Sequence, residues 1–344
     1  MTGESETREG APSPDDSRKP ETPARVHKRS WKYVLRRTVS EFSADQCQDS
    51  AAALTYYGVL SAFPALLAIF SLLGVVGQGD SAAKAVLGIV KQVAPGSTVD
   101  LIRGPIHQFA SSSAAGLGLV VGIVLAIWSA SGYIAAFSRA ANRIYEIDEG
   151  RPFWVLKPTQ LLLTLVLIVL IAIMAVLLVI SGPLIHAVGS AIGLGSVAVT
   201  VWSIARWPVM VAALIVAVAL LYWATPNVKQ PRFRWISLGG IIAIIVLAIA
   251  TLGFGFYVAN FANYNKSYGS LGGVIIFLVW LWIANLVLLF GAEFDAEVER
   301  GRELQAGMDA AETIQLPPRG VRQSEKNLKK SEKLVAEARE LRSS

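Results

Sequence analysis

Residues 271–292, LGGVIIFLVWLWIANLVLLFGA, contain no charged side chain and a single amide, Asn285. A helix needs about 20 predominantly apolar residues to cross the hydrocarbon core of a bilayer. This stretch therefore predicts a transmembrane helix. Other stretches of the chain meet the same requirement, and the complete set of predicted spans is 54–77, 116–137, 159–181, 201–223, 235–258 and 271–292.

The segments between these spans alternate in their content of lysine and arginine. Basic residues are concentrated in 25–37, 139–157, 229–234 and 300–302, whereas 182–200 contains none. Short loops rich in lysine and arginine stay on the cytoplasmic side of a membrane. The pattern predicts an all-α polytopic membrane protein, a bundle of six transmembrane helices with both termini in the cytoplasm.

The composition of the chain agrees with a membrane protein. Hydrophobic residues make up 53% and charged residues 16% of the 344 residues, whereas a soluble domain carries about 25% charge. The net charge of +6 comes from basic residues beside the spans, so it indicates orientation rather than binding of nucleic acid. Cys47 is the only cysteine, and the three histidines are far apart in sequence. This pattern predicts no metal, no cofactor and no catalytic residue.

The parts of the chain that flank the spans are polar. We expect a disordered N-terminal tail at 1–30, a membrane domain at 31–300, and a charged, mobile cytoplasmic tail at 301–344. Apolar residues at helical spacing in 31–42 predict an amphipathic helix on the inner membrane surface. The outer loop 78–115 is expected to contain two short helices that cap the bundle.

Span six and its exit carry the first candidate site. Asn285, Leu289 and Glu293 recur at four-residue steps, so they share one face of the helix. Asn285 and Glu293 are not expected to face lipid. One interpretation is the wall of a cavity, or a proton or ion site. The other is structural, with an interhelical hydrogen bond from Asn285 and an ion pair between Glu293 and Arg139 or Arg143.

Pro64, Asp49 and Arg206 are further candidates. Pro64 in span one predicts a kink, which is either a hinge that lines a cavity or static packing. Asp49, on the same helix face as Asp45, either offsets the macrodipole at the start of span one or binds an ion. Arg206 lies near two tryptophans at the outer start of span four, where it either snorkels to the interface or contacts a substrate anion.

Several stretches together resemble one known family. DSAAALTYY at 49–57, RAANRIY at 139–145, YNKSYGSLGG at 264–273 and GAEFDAE at 291–297 are similar to motifs of the YihY/virulence factor BrkB family. These are bacterial inner-membrane proteins that have also been labelled ribonuclease BN. The resemblance covers roughly residues 40–300, within the size range of one domain. It implies six spans in the bacterial cytoplasmic membrane and carries over no catalytic residue.

These features leave three functions open. The favoured one is transport, flipping or export of an envelope component such as a lipid or small solute, because a polar stripe and a kinked span occur without a nucleotide-binding motif. The second is a structural or scaffolding envelope protein. The third is the ribonuclease that the older family label suggests, although clustered metal ligands are missing from the sequence and the acidic exit of span six would repel RNA phosphates.

The same reasoning sets the expected partners. We expect a protein that is not an enzyme and that needs no cofactor. Its expected partners are membrane lipids, envelope proteins and a second copy of the chain in a homo-oligomer, with no nucleic acid.

Overall fold

The computed structural model describes residues 8–21, 25–75, 115–179, 196–231, 237–261 and 271–343. In these ranges a short 3-10 helix, Arg8–Gly10, precedes the α-helices. The α-helices are α1 (Lys28–Ala44), α2 (Cys47–Val75), α3 (Ala115–Ile144), α4 (Phe153–Val179), α5 (Ser196–Ala224), α6 (Leu238–Phe261), α7 (Leu271–Gln305) and α8 (Arg322–Ser343). The described ranges contain no strand, only an isolated bridge between Val228 and Pro318. The predicted all-α class is therefore confirmed.

Five of the predicted spans lie in helices that are long and apolar enough to cross a membrane. Their spanning parts are Val120–Ile144, Phe153–Met174, Thr200–Ala224, Leu238–Val258 and Gly272–Gln305. Apolar side chains remain exposed on these helices, and Leu252 of α6 is 75% exposed. Helices that are apolar on every side and not covered by protein are typical of membrane spans. The chain is a polytopic helical membrane protein.

The first predicted span, 54–77, lies in α2 as far as Val75. The side chains of α2 after Ser61 fall outside the described residues, and so does the side chain of Pro64, whose predicted kink stays a prediction. The predicted cap of short helices at 78–115 also lies outside the described residues, apart from the first residue of α3.

The amphipathic helix predicted at 31–42 is confirmed as α1. Val34 is buried and packs with Phe294 and Val298 of α7, and the ring of Trp31 stacks on Phe294 with centroids 6.2 Å apart. A Cβ placed on Gly301 would come within 2.9 Å of the Val34 side chain. One face of α1 therefore docks on the last turns of α7. Its location on the membrane surface stays a prediction.

The chain divides into two compact units. Unit 1 comprises Met1–Asp45, Ser138–Ile244 and Phe290–Ser344, and unit 2 comprises Gln46–Phe137 and Ile245–Leu289. Helix α7 supplies residues to both units, so the polar residues of its two parts can be compared.

Close helix packing in unit 1 depends on two glycines. A Cβ placed on Gly239 of α6 would lie 1.9 Å from the carbonyl oxygen of Gly291 in α7. A Cβ on Gly291 would lie 2.4 Å from the hydroxyl of Tyr222 and 2.6 Å from the carbonyl oxygen of Gly239. Only glycine permits such an approach of two helix backbones. The start of α6 is thereby held against α7.

The described parts of both predicted tails pack in unit 1. Lys19 is buried, as are Ile314 and Leu316. The backbone N–H of Lys229 donates to the carbonyl of Pro317 over 2.8 Å. The mobility of 301–344 stays a prediction, but the buried side chains within 308–321 were not predicted from the sequence.

Candidate functional site

The amide of Asn285 belongs to a group in unit 2 that we call the neutral triad: Thr55, Tyr133 and Asn285. Tyr133 Oη donates to Asn285 Oδ1 over 2.9 Å, and Asn285 Nδ2 donates to Thr55 Oγ1 over 3.1 Å. Thr55 Oγ1 donates in turn to the carbonyl oxygen of Ala51 over 2.8 Å. These bonds join α2, α3 and α7. The contacts of Asn285 are those of the interhelical hydrogen bond that the sequence predicts as one alternative.

The last turns of α7 lie in unit 1 and carry ionisable residues that are largely buried. Together with the ionisable residues that approach them from other segments, they form what we call the charged cluster: Lys19, Arg37, Asp45, Glu146, Glu293, Glu297, Glu299, Arg300, Arg302 and Glu303. Glu293, Arg300 and Glu303 have 0% of their surface exposed. Buried charges are tolerated where counterions and hydrogen bonds satisfy them. The partners of each charge therefore decide what the cluster does.

Two arginines serve one side of the cluster. Glu297 Oε1 accepts from Arg37 Nε over 3.3 Å and from Arg300 Nε over 3.0 Å. Arg300 Nη2 also donates to Glu146 Oε1 over 2.6 Å. Burial lowers the pKa of Arg37, but the neighbouring carboxylates, Glu297 foremost, outweigh it and raise the pKa above its ordinary value. These two arginines hold α1 and Glu146, which lies just after α3, against α7.

A lysine from the N-terminal segment serves another side of the cluster. Lys19 Nζ lies 2.8 Å from Glu299 Oε1 and 3.0 Å from Glu303 Oε1, and its side chain is fully buried. Arg302 also pairs with Glu299, and Glu303 accepts the backbone N–H of Gln315 over 2.7 Å. Lys19 is thus a counterion of both glutamates, and the C-terminal segment adds a hydrogen bond to Glu303.

Glu293 differs from the other glutamates of the cluster. Neither of its carboxyl oxygens accepts a hydrogen bond within the described part of the chain. In the described ranges neither Arg139 nor Arg143 donates a hydrogen bond to Glu293, so the predicted ion pair stays a prediction. Arg139 is exposed, and Arg143 Nη1 donates instead to the main-chain carbonyl of Asp45 over 3.1 Å. The carboxyl of Asp45 lies within hydrogen-bond reach of Glu293.

The remaining sequence candidates lie elsewhere. Asp49 is exposed in the first turn of α2, where a carboxylate offsets the helix macrodipole. The guanidinium of Arg206 lies 5.2 Å from the ring centroid of Trp207, as expected for an arginine in an aromatic belt. Neither belongs to the neutral triad or the charged cluster. Whether either has a functional role stays a prediction.

Unit 1 contains a cavity of 290 Å³ beside the charged cluster. It lies between the end of α5, the start of α6 and the last turns of α7. Its aromatic and apolar walls are formed by Tyr145, Ala219, Tyr222, Trp223, Pro231, Leu238, Ile241, Val298 and Leu316. Its polar wall is formed by Gln230, Ser237, Asp295, Glu299 and Arg302. An amphiphilic lining of this kind fits a ligand that has both polar and apolar parts.

The polar wall is held in place by hydrogen bonds. Asp295 Oδ1 accepts the backbone N–H of Gly239 over 2.7 Å, which fixes its carboxyl at the start of α6. Gln230 Nε2 donates to the carbonyl of Tyr222 over 2.8 Å and to the hydroxyl of Tyr145 over 3.3 Å. Since Glu299 and Arg302 pair with each other, Asp295 is the carboxylate of this wall without a charged partner within hydrogen-bond distance among the described residues.

The loops that carry Tyr145 and Gln230 are joined by Asn227. Its Nδ2 donates to the carbonyls of Asp148 and Gly320, each over 2.9 Å, and its Oδ1 accepts the N–H of Gly320 over 3.1 Å. A Cβ on Gly150 would lie 1.9 Å from the carbonyl oxygen of Gly320. The C-terminal segment around Gly320 thus packs against the loops that carry Asp148 and Asn227, close to Leu316 in the cavity wall.

A sequence signal for the cavity existed in the acidic run that follows span six. In a helix, Glu293 and Glu297 share one face, while Asp295 and Glu299 share another. The structure shows the first pair in contact with α1 and the second pair at the cavity. Spacing alone could separate these faces but could not show what covers each one. No cluster of three or more metal-ligating side chains occurs in the ranges that the structure describes.

Three relatives indicate how this chain is related to known proteins. It is 30% identical to the ribonuclease-like protein YfkH of Bacillus subtilis over 270 residues, which cover 78% of this chain and 96% of that protein. It is 32% identical to a UPF0761 membrane protein of Alkalilimnicola ehrlichii and 29% identical to the UPF0761 membrane protein RSc1559 of Ralstonia nicotianae. Those matches span 61% and 57% of the respective relatives. No solved structure matches.

A family model describes the same region of the chain. The model for virulence factor BrkB matches residues 38–313, which include the neutral triad, the cavity apart from Leu316, and the charged cluster apart from Lys19 and Arg37. The match covers most of the chain and agrees with the helical membrane fold. The chain therefore belongs to the virulence factor BrkB family.

Proposed function

We propose that this membrane protein moves an amphiphilic envelope component, a lipid or a small solute, across the bacterial cytoplasmic membrane. The cavity in unit 1 is the proposed binding site. The proposal involves transfer between leaflets or compartments and no covalent chemistry. It rests on the lining of the cavity, with aromatic and apolar side chains on one wall and, on the other, the carboxylate of Asp295, which has no charged partner within hydrogen-bond distance among the described residues.

The size of the cavity supports a small ligand or a headgroup. Sites for whole drug-sized molecules enclose about 300–1,000 Å³, and this cavity encloses 290 Å³. A complete phospholipid would not fit inside it, but a polar headgroup with the first part of an acyl chain against Leu238 and Ile241 would. Asp295 would accept hydrogen bonds from an amine or hydroxyl of that headgroup.

The proposed orientation places the cavity at the inner leaflet. The loop between α5 and α6 carries Lys229, Arg232 and Arg234, and basic loops stay in the cytoplasm. Trp223 at the end of α5 and Leu238 at the start of α6 both line the cavity. With both termini in the cytoplasm, the cavity would therefore open at the depth of the inner headgroups.

A flipping assay tests the proposal. The purified full chain is reconstituted in vesicles that contain phospholipids with a fluorescent acyl chain and ethanolamine, glycerol or choline headgroups. A membrane-impermeant reductant then bleaches the label that reaches the outer leaflet. We expect wild type to expose the inner-leaflet label of at least one headgroup class. Asp295→Asn should slow this about 10-fold or more, since losing a hydrogen bond to a charged group costs about 1.5–3 kcal/mol.

Leu252→Val is the matched control for this assay. Leu252 is an exposed α6 residue outside the cavity lining, so its substitution should leave the rate unchanged. If no headgroup class flips faster than in protein-free vesicles, or if Asp295→Asn flips at the wild-type rate, the proposed binding site is wrong.

The name of YfkH favours a ribonuclease as the second candidate. Its test uses the same preparations, incubated with labelled single-stranded RNA and divalent cations. Cleavage by wild type that is lost in Asp295→Asn or Glu297→Gln would favour the nuclease. Equal cleavage by wild type and both variants would point to contamination with a soluble enzyme.

A further inference from the structure

Glu293 is a buried carboxyl group without a donor. It has 0% of its surface exposed, and no N–H or O–H group of the described residues reaches either carboxyl oxygen. Glu303, also fully buried on α7, has both Lys19 and the Gln315 N–H as donors. Burying an ionised carboxylate without such partners costs several kcal/mol. Glu293 therefore needs a proton or a cation that the described residues around it do not supply.

The neighbour of Glu293 is another carboxyl group. Asp45, at the junction of α1 and α2, lies within hydrogen-bond reach of it. A carboxylate only accepts hydrogen bonds, so two ionised carboxylates cannot bond to each other. Once either of them holds a proton, that group becomes a donor to the other. The geometry is that of two carboxyls that share one proton.

The charges packed around this pair do not neutralise it. The facing acidic groups are Glu41 of α1, Glu146 after α3, and Glu297 of α7. The facing basic groups are Arg37 of α1, Arg143 of α3 and Arg300 of α7. Arg37 contacts Glu41, Glu146 and Glu297, Arg143 donates to the Asp45 carbonyl, and Arg300 contacts Glu146 and Glu297. With Asp45 and Glu293 ionised, carboxylates would outnumber guanidinium groups by two.

The surroundings of Asp45 also favour its protonated form. Burial raises the pKa of Asp45 to about 7, with further upward contributions from Glu41 and Glu146 that exceed the opposing effect of Arg143. At neutral pH, Asp45 is therefore close to the midpoint between its protonated and ionised forms. A small change in pH changes the number of protons that the pair holds.

We propose that Asp45 and Glu293 form a proton-binding site in unit 1, distinct from the cavity, in which the two carboxyls share one exchangeable proton. Neither residue lines the cavity. This further step rests on the proposed function: uptake and release of the proton couple a proton gradient to transport. The proton site itself depends only on the contacts given above.

Infrared spectroscopy tests the site without any transport. The full chain in lipid bilayers is titrated between about pH 5 and pH 9, the range in which a strongly shifted carboxyl can titrate. The C=O band of protonated carboxyls is followed. In wild type we expect the band to lose the intensity of one carboxyl with a midpoint near the Asp45 value of about 7, while one proton remains on the pair. Asp45→Asn should remove this transition. Glu293→Gln should keep the transition, because its amide N–H₂ donates to ionised Asp45 as a protonated Glu293 does, and should remove the intensity that remains above the midpoint.

Glu312→Gln is the control, because Glu312 is exposed, and it should leave the transition as in wild type. Failure of wild type to titrate, or an unchanged transition in Asp45→Asn, overturns the proposal.

The titration is repeated with Na⁺ replacing K⁺ at equal ionic strength. An unchanged midpoint supports the proton site, whereas a midpoint that falls with Na⁺ shows that a sodium ion balances the pair and overturns it.

If Asp45→Asn does not fold, the loss of the remaining band in Glu293→Gln and the sodium comparison still decide. Because no lipid movement is measured, a failed flipping assay with a titrating pair rejects the transport proposal and leaves the proton site. The reverse result rejects the proton site alone.

Discussion

The neutral triad of unit 2 and the charged cluster of unit 1 both draw on α7, yet they solve the problem of burying polar atoms differently. In the triad, Tyr133, Asn285 and Thr55 satisfy one another through uncharged hydrogen bonds of 2.9 and 3.1 Å. In the cluster, Lys19, Arg37 and Arg300 are brought to α7 to balance glutamates. Charges are costly within an apolar bundle, so they occur where other chain segments supply counterions.

The difference also separates structural from functional roles. Asn285 uses both its oxygen and its amide nitrogen in bonds to protein, so the triad offers little to a ligand. In unit 1, by contrast, Glu293 has no hydrogen-bond donor among the described residues, and Asp295 faces a cavity. The unsatisfied polar groups of the described residues are thus concentrated in unit 1.

Removing the buried lysine should damage the charged cluster most. Lys19→Met leaves Glu303 without its buried counterion, and breaking a buried ion pair costs about 3–5 kcal/mol. We expect a large fall in the thermal unfolding midpoint, followed by tryptophan fluorescence in detergent. Arg18→Met is the matched control, since the neighbouring Arg18 makes an exposed pair with Asp16. An equal effect of both variants would show that Lys19 is not a counterion of α7.

Closing the gap between α6 and α7 in unit 1 should have the next largest effect. Gly239→Ala places a methyl group against the backbone of Gly291, and overpacking of this kind costs about 1–3 kcal/mol. Gly253→Ala on the same helix meets open space and should be harmless or slightly stabilising. The comparison is read from the unfolding midpoint. Equal stability of the two variants would mean that the close approach of the helices does not contribute to folding.

Weakening the neutral triad should cost less. Tyr133→Phe removes one interhelical hydrogen bond, worth about 0.6–1.7 kcal/mol between membrane helices, and leaves Asn285 bonded to Thr55. Tyr56→Phe serves as the control, because Tyr56 is exposed. We expect a small fall in the unfolding midpoint for Tyr133→Phe alone. A fall as large as that of Lys19→Met would remove the contrast between neutral and charged groups.

A dependence of stability on pH should be the smallest of these effects, because Asp45 is only partly buried and solvent screens its interactions. The pKa of Asp45 is about 7 in the folded chain against an ordinary value of 3.8, so the folded state holds the proton more tightly. Its contribution to stability is therefore present below pH 3.8 and is lost as pH rises toward about 7. We expect the unfolding midpoint to fall across this window in wild type and less in Asp45→Asn. Identical slopes would contradict the assignment.

The sequence predicted the helices well because hydropathy is a local property. Five spans agree with long apolar helices, and the hydrogen bonding of Asn285 follows from placing an amide in an apolar span. The partners of α7 could not be predicted in this way. Lys19 and Glu299 are 280 positions apart, and no local pattern indicates such a contact. The hydrogen bond from Arg143 to the Asp45 carbonyl, 98 positions away, could not be predicted for the same reason.

We propose that unit 1 carries the transport site, whereas the neutral triad of unit 2 has a structural role. The most direct measurement is the initial flipping rate of acyl-labelled phospholipid in vesicles of equal protein content, for wild type, Asp295→Asn and Tyr133→Phe. We predict that Asp295→Asn loses most of the rate and that Tyr133→Phe keeps it once folded protein is counted. A wild-type rate in Asp295→Asn together with a lost rate in Tyr133→Phe would contradict the claim.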